Sequence, residues 1–203
     1  MLVDSMPAIR RYWSDWATRN GVAPQTVLAS IHLTAEELIR RFAPGLDAIA
    51  EARATAIGQA QIETGITPLP GGRELVAQIP RERWAVVTSG RRELALRHLA
   101  LGGLPVPAVL VTAEDTPRGK PDPAGYLLAA AGLGVAQEDC LAIEDSPAGV
   151  QAARTAGMTV LGVTNTHRIE ELSGANDVIE SLAELRIAIA GSLTAPELVV
   201  SLR

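Results

Sequence analysis

A chain of 203 residues with a formal charge of −5 and 47% hydrophobic residues has enough apolar side chains for one compact core, or for a core with a modest inserted second domain, and is not a disordered chain. No run of about 20 apolar residues could span a bilayer, and the first residues lack the basic-then-apolar layout of a signal peptide, so a cytoplasmic location is the expectation. The mildly acidic balance and absence of a basic cluster argue against a nucleic-acid surface, and a single cysteine excludes an internal disulfide framework or a multi-cysteine zinc site.

The first elements are helical. "PAIRRYWSDWATRNG" has proline near its start, apolar residues at helical spacing (Ile9, Tyr12, Trp13, Trp16) and a terminal glycine, which predicts a helix over 7–21. Asp4 stands where it would cap that helix. "LTAEELIRRFAPG" sets Thr34 three residues before Glu37, a capping-box pattern, and ends at Pro44-Gly45. "LDAIAEARATAIGQAQIETG" predicts a third helix, and the aromatic residues on these faces read as a small helical core.

Near Pro68 the texture changes. After "PLPGG" come helix "RELVAQI", strand "WAVVTS", helix "RRELALRHLAL", strand "AVLVTA", helix "PAGYLLAAAGLG", strand "CLAIED", helix "AGVQAARTAG", strand "TVLGVT" and a final "DVIESLAEL". Short apolar strands alternating with helices predict a doubly wound α/β fold around a parallel sheet, whose active sites lie at the carboxyl ends of the strands. Cys140 opens one of these strands and reads as a small buried side chain. The tail "GSLTAPELVVSLR" fits an edge strand or a docking segment equally.

Three strand-end loops carry complementary polar groups. "VVTSGRR" offers the Thr88 hydroxyl and the backbone N–H groups of Ser89 and Gly90 at a helix start, where unpaired donors and the helix dipole favour an anion. "RGKPDP" supplies Lys120, the one lysine among 18 basic residues, at a position where a compact ammonium serves and a planar guanidinium does not. "AIEDSPAG" places Glu144 and Asp145 side by side, hard oxygen ligands of the kind Mg²⁺ takes together with a substrate phosphate. Singly, the first two read more simply as turns and the third can be a capped helix entry; jointly they form a phosphate-plus-metal constellation.

That set resembles the second, third and fourth motifs of the haloacid dehalogenase-like phosphohydrolases, over essentially the whole chain. "PAIRRYWSDW", "WAVVTSGRRELA", "VTAEDTPRGKPDPAGYL" and "AIEDSPAGVQAARTAGM" are most similar to the branch of glycerol-3-phosphatases and 2-deoxyglucose-6-phosphatases, with β-phosphoglucomutase a more distant relative. The resemblance implies a Rossmann-like core (70–203) with an inserted helical cap (7–69) that closes over a small phosphorylated sugar or polyol, and residues 1–6 as the tail of the first motif. It implies an aspartate nucleophile, a phospho-aspartyl intermediate and a second aspartate two residues on. Thr88 and Lys120 would be the catalytic candidates, Thr88, Ser89, Gly90 and Lys120 the phosphate binders, and Asp145 with Glu144 the Mg²⁺ ligands.

"LVDS" resembles the end of the family's first motif, Asp-x-Asp-Gly-Thr/Val-Leu-Val-Asp-Ser, so both catalytic aspartates and the first core strand would lie before Met1, and the chain as written would be inactive. Asp4 sits past the nucleophile position. Where the branch carries a His-Gly-x-Arg-like cap loop this chain reads "SIHLTAEEL", keeping His32 alone, which leaves the substrate open; His98 and His167 have no motif context. Two alternatives stand beside the phosphatase: a non-catalytic remnant binding phosphate compounds or a partner, and a phosphosugar mutase.

Overall fold

The computed structural model describes residues 2–202 apart from 32, 63, 193 and 194, so His32 lies outside the described residues. The chain divides into two compact units, Asp4–Thr67 and Met1–Val3 with Pro68–Arg203. It passes between them at two short strands that pair with each other, β1 (Val3–Asp4) and β2 (Thr67–Pro68).

The unit 4–67 is helical. It contains α1 (Met6–Arg19), α2 (Pro24–Leu28), α3 (Ala35–Phe42) and α4 (Ala48–Ala60). Asp4 accepts a hydrogen bond from the Met6 N–H at 2.9 Å, satisfying one of the orphan donors at the start of α1. The aromatic side chains of α1 form the predicted core: Trp13 and Trp16 are buried, their rings 5.3 Å apart edge to face, against Val27, Leu38 and Ile39. The buried indole needs a polar partner, and Trp16 Nε1 donates to Glu51 of α4 at 2.9 Å. The capping box at α3 is present, with Thr34 Oγ1 accepting from Glu37 N–H and the Glu37 carboxylate accepting from Thr34 N–H. Thr34→Ala is expected to destabilise this unit by about 1 kcal/mol, read as a lower urea midpoint with unchanged slope. Nothing in the sequence marks the short helix α2, because five residues carry too little periodicity.

The other unit has the expected alternation of strands and helices. In chain order it contains α5 (Gly72–Ala77), β3 (Ala85–Val87), α6 (Arg92–Leu101), β4 (Val109–Val111), α7 (Ala124–Leu133), β5 (Leu141–Glu144), α8 (Pro147–Thr155), β6 (Thr159–Val163) and β7 (Asp177–Ile179). β3 pairs parallel with β4 (Val86 opposite Leu110), and β5, β6 and β7 form a second parallel set (Glu144 opposite Gly162, Gly162 opposite Val178). Among the described residues β3 and β5 are each paired on one side only. "DVIESLAEL" resolves into β7 followed by a 3-10 turn over Leu182–Glu184.

Apolar faces of α7 and α8 cover this scaffold. Tyr126, Ala130, Ala142, Val150, Ala153, Val160 and Leu172 form one core, with Leu75, Leu161, Val163 and Ile179 forming another. Gly125 lets α7 sit close on the sheet, since a Cβ there would stand 3.0 Å from a Val87 methyl. The tail forms an antiparallel hairpin, β8 (Leu185–Ser192) and β9 (Ala195–Leu202). Cys140 is half-buried rather than buried, because its strand opens at the sheet rim; its Sγ lies 3.4 Å from the Ala136 carbonyl oxygen, and burial pushes its thiol up, away from thiolate chemistry. No helix among the described residues is long and apolar enough to cross a membrane.

Candidate active site

The cleft at the carboxyl ends of β3 and β4 is lined by Thr88, Ser89, Thr112, Arg118, Lys120 and Tyr126, so the first two predicted loops do meet. Thr88 follows β3 directly. Its N–H continues the ladder to the Val111 carbonyl at 2.9 Å, and its Oγ1 accepts from the Gly90 N–H at 3.0 Å. The sequence placed these groups at a helix start, and the structure corrects this. α6 begins at Arg92, after a three-residue turn, and its first N–H is taken by the Glu114 carboxylate at 3.1 Å. What the cleft offers an anion is therefore the Thr88 hydroxyl and the turn backbone at Ser89, while the Gly90 N–H is engaged within the turn.

A polar lock holds that turn to the loop after β4. Asp115 Oδ2 accepts from the Thr112 N–H at 2.8 Å, the Thr112 hydroxyl at 2.7 Å and the Arg92 guanidinium at 2.7 Å, and Arg91 pairs with Glu114 at 3.2 Å. The Thr112 hydrogen bonds, then Arg92, hold the Asp115 carboxyl below its ordinary value, and Glu114 is lowered by Thr112 and the neighbouring backbone N–H groups. Groups depressed in the folded state stabilise it above their unfolded pKa and lose that contribution as pH falls through the folded one. Stability is therefore expected to decline below about pH 4, and Asp115→Asn to flatten that decline in thermal melts between acid and neutral pH.

Lys120 ties this cleft to the acidic pair. Its Nζ reaches the Val87 carbonyl at 3.3 Å, pairs with the Glu144 carboxylate and lies 5.3 Å from the Tyr126 ring centroid. A spherical ammonium meets all three surfaces from one point, which a planar fork does not. Glu144, at the end of β5, is a buried carboxylate with three side-chain partners: Lys120, the Tyr126 hydroxyl, and the Ser146 hydroxyl at 3.2 Å. Burial and then the Glu144 charge push the Tyr126 phenol far above its ordinary value, so it remains a proton donor. Ser146 also caps α8, accepting from the Gly149 N–H at 3.1 Å.

Asp145 follows, with its carboxylate and carbonyl bonded to residues beyond β6. The Asn165 side-chain amide donates to Oδ2 at 3.2 Å, and Thr166 Oγ1 donates to the Asp145 carbonyl at 2.7 Å. No local pattern marks Tyr126, Asn165 or Thr166 as neighbours of this site. His167, without motif context in the sequence, lies in the same loop, whereas His98 sits on α6 with its imidazole lowered by burial and by Arg97.

The family model for haloacid dehalogenase-like hydrolases matches residues 2–157. The chain belongs to the haloacid dehalogenase-like hydrolases. Among relatives of this family, hexitol phosphatase A of Escherichia coli is 41% identical over 92% of this chain and 89% of its own length. Glycerol-1-phosphate phosphohydrolase 2 of Saccharomyces cerevisiae is 27% identical over 92% of this chain and 80% of its own. The crystal structure of β-phosphoglucomutase from Clostridium difficile superposes with a TM-score of 0.71, covering 92% of this chain and 89% of that one, at 22% identity. That last likeness shows the fold alone.

The donor set suits a magnesium ion, the metal used generally across this family. Two adjacent carboxylates at one strand end are hard oxygen ligands, and Mg²⁺ takes one or two of these together with water and substrate phosphate. Asp145 is the residue that would hold it, with Glu144 beside it engaged by Lys120, Tyr126 and Ser146 and able to join only on releasing one of these partners.

Proposed function

We propose that this hydrolase removes phosphate from a small phosphorylated sugar or polyol, with hexitol phosphates the foremost class. The observation that carries the reading is the Lys120–Glu144 pair, which joins the Thr88 cleft to the acidic strand end. Similarity to a hexitol phosphatase along most of both chains supports the substrate class. In this reading the Thr88 hydroxyl and the Ser89 N–H bind phosphoryl oxygens, and Lys120 places positive charge where the nucleophile and phosphate meet. Bound at Asp145 with Glu144 beside it, Mg²⁺ would supply charge neutralisation to the phosphoryl group.

The nucleophile in this reading is an aspartate that forms a phospho-enzyme, carried on a strand between β3 and β5 ahead of "LVDS". A second reading is a core that binds phosphate compounds without turning them over, and the presence or absence of an Asp-x-Asp segment separates the two.

The test is Mg²⁺-dependent phosphate release from hexitol phosphates, glycerol phosphate and 2-deoxyglucose 6-phosphate, by this chain and by one with an Asp-x-Asp segment placed before "LVDS". Turnover in the second chain alone supports the aspartate route. Binding without turnover in both supports the second reading, and an isomerised sugar phosphate without released phosphate would make the protein a mutase. Turnover by the 203-residue chain itself would refute the proposed nucleophile.

A further inference from the structure

We infer that the loop Asn165–Thr166–His167 is a positioning device for Asp145, a role that rests on the metal site proposed above. β5 and β6 are parallel neighbours, so the loop after β6 and the residue after β5 emerge at the same carboxyl edge. Three consecutive side chains of that loop turn onto one residue. Asn165 Nδ2 bonds the Asp145 carboxylate through Oδ2 at 3.2 Å, while Thr166 Oγ1 at 2.7 Å and His167 Nδ1 at 2.9 Å both meet the Asp145 carbonyl oxygen.

The geometry assigns the proton on His167. A carbonyl oxygen only accepts, so a hydrogen bond to it places the proton on Nδ1, and the Thr166 hydroxyl oxygen, 2.9 Å from the same nitrogen, closes a triangle around it. This carbonyl lies outside the hydrogen-bond ladder of α8, whose first bond runs from Val150 N–H to the Ser146 carbonyl. Fixing the peptide after Asp145 fixes the direction in which its side chain leaves the strand. With Oδ2 held by Asn165, Oδ1 has no hydrogen bond among the described residues and is the oxygen left for a cation. Partners of this kind, one step removed from a metal, change its affinity roughly 10–100-fold when removed.

The experiment uses the full chain and two NMR readouts, an imidazole ¹⁵N spectrum without metal and an Mg²⁺ titration followed on the Asp145 and Ser146 amides. Expected are a slowly exchanging Nδ1 proton on His167, and weakening of Mg²⁺ binding by roughly 10–100-fold in Thr166→Val and His167→Ala. Recovery is expected in Thr166→Ser, which keeps the hydroxyl, and in His167→Asn, whose amide can donate to the same carbonyl. All four variants should melt close to the parent. A rapidly exchanging imidazole proton, or unchanged Mg²⁺ affinity in Thr166→Val and His167→Ala, overturns the positioning role. A protected Nδ1 proton in a parent chain that ignores Mg²⁺ supports the hold on Asp145 and refutes the metal site instead.

Discussion

Lys120→Ala is expected to lower stability by about 3–5 kcal/mol, because it strands a buried carboxylate. The Lys120 and Glu144 side chains are 17% and 6% exposed, so water cannot replace the ammonium. Tyr126 and Ser146 still donate to Glu144, but hydroxyls supply no compensating charge. For a chain of this size the loss corresponds to a fall in Tm of roughly 6–20 °C at neutral pH. Pairing Lys120→Met with Glu144→Gln should recover most of it, since exchanging both members of a buried ion pair for neutral groups of similar volume is often close to neutral in stability. Lys120→Arg should fall between, keeping the charge while forcing a larger planar group into contact with Val87, Glu144 and Tyr126. A Lys120→Ala melt within about 2 °C of the parent would mean that Glu144 reaches solvent and that the pair is an ordinary surface contact.

Much of the fold and of the site was legible because the signals are local. The capping box at Thr34, the strand-end positions of Thr88 and Glu144, and the isolated lysine are each written within a few residues. The features that escaped join distant residues. Glu114 supplies the N-terminal acceptor of α6 from 22 positions away, a contact no local pattern carries, although the helix itself begins within one residue of where its sequence predicts. Tyr126 reads in sequence as one apolar position of α7, and only the packing of that helix on β3 and β4 turns its hydroxyl onto Glu144. His167 stands 22 residues beyond Asp145, in a loop whose meaning comes from the β5–β6 pairing alone. The five residues of α2 carry neither the helical spacing of α1 nor the apolar run that marks the short strands of the sheet.

The second large effect is expected at Gly149, in the first turn of α8. Ala is favoured over Gly inside a helix by about 1 kcal/mol, so Gly149→Ala would stabilise an ordinary helix. Here a Cβ would stand 2.0 Å from Glu144 Oε2 and 2.2 Å from its Cδ, far inside contact distance. The carboxylate cannot swing aside freely, because Lys120, Tyr126 and Ser146 hold it and the residue is 5% exposed. Gly149→Ala should therefore destabilise by about 1–3 kcal/mol despite the better propensity, and under the proposed function it should sharply lower Mg²⁺-dependent turnover in whichever chain of the phosphate-release test turns over. The partner variant separates the two terms: in a Glu144→Ala background the obstructing carboxylate is gone, and adding Gly149→Ala should be neutral or stabilising by up to about 1 kcal/mol. Additive effects in the two backgrounds would show that the helix relaxes away from the strand end, and that the close approach of α8 to Glu144 does not fix the acidic pair.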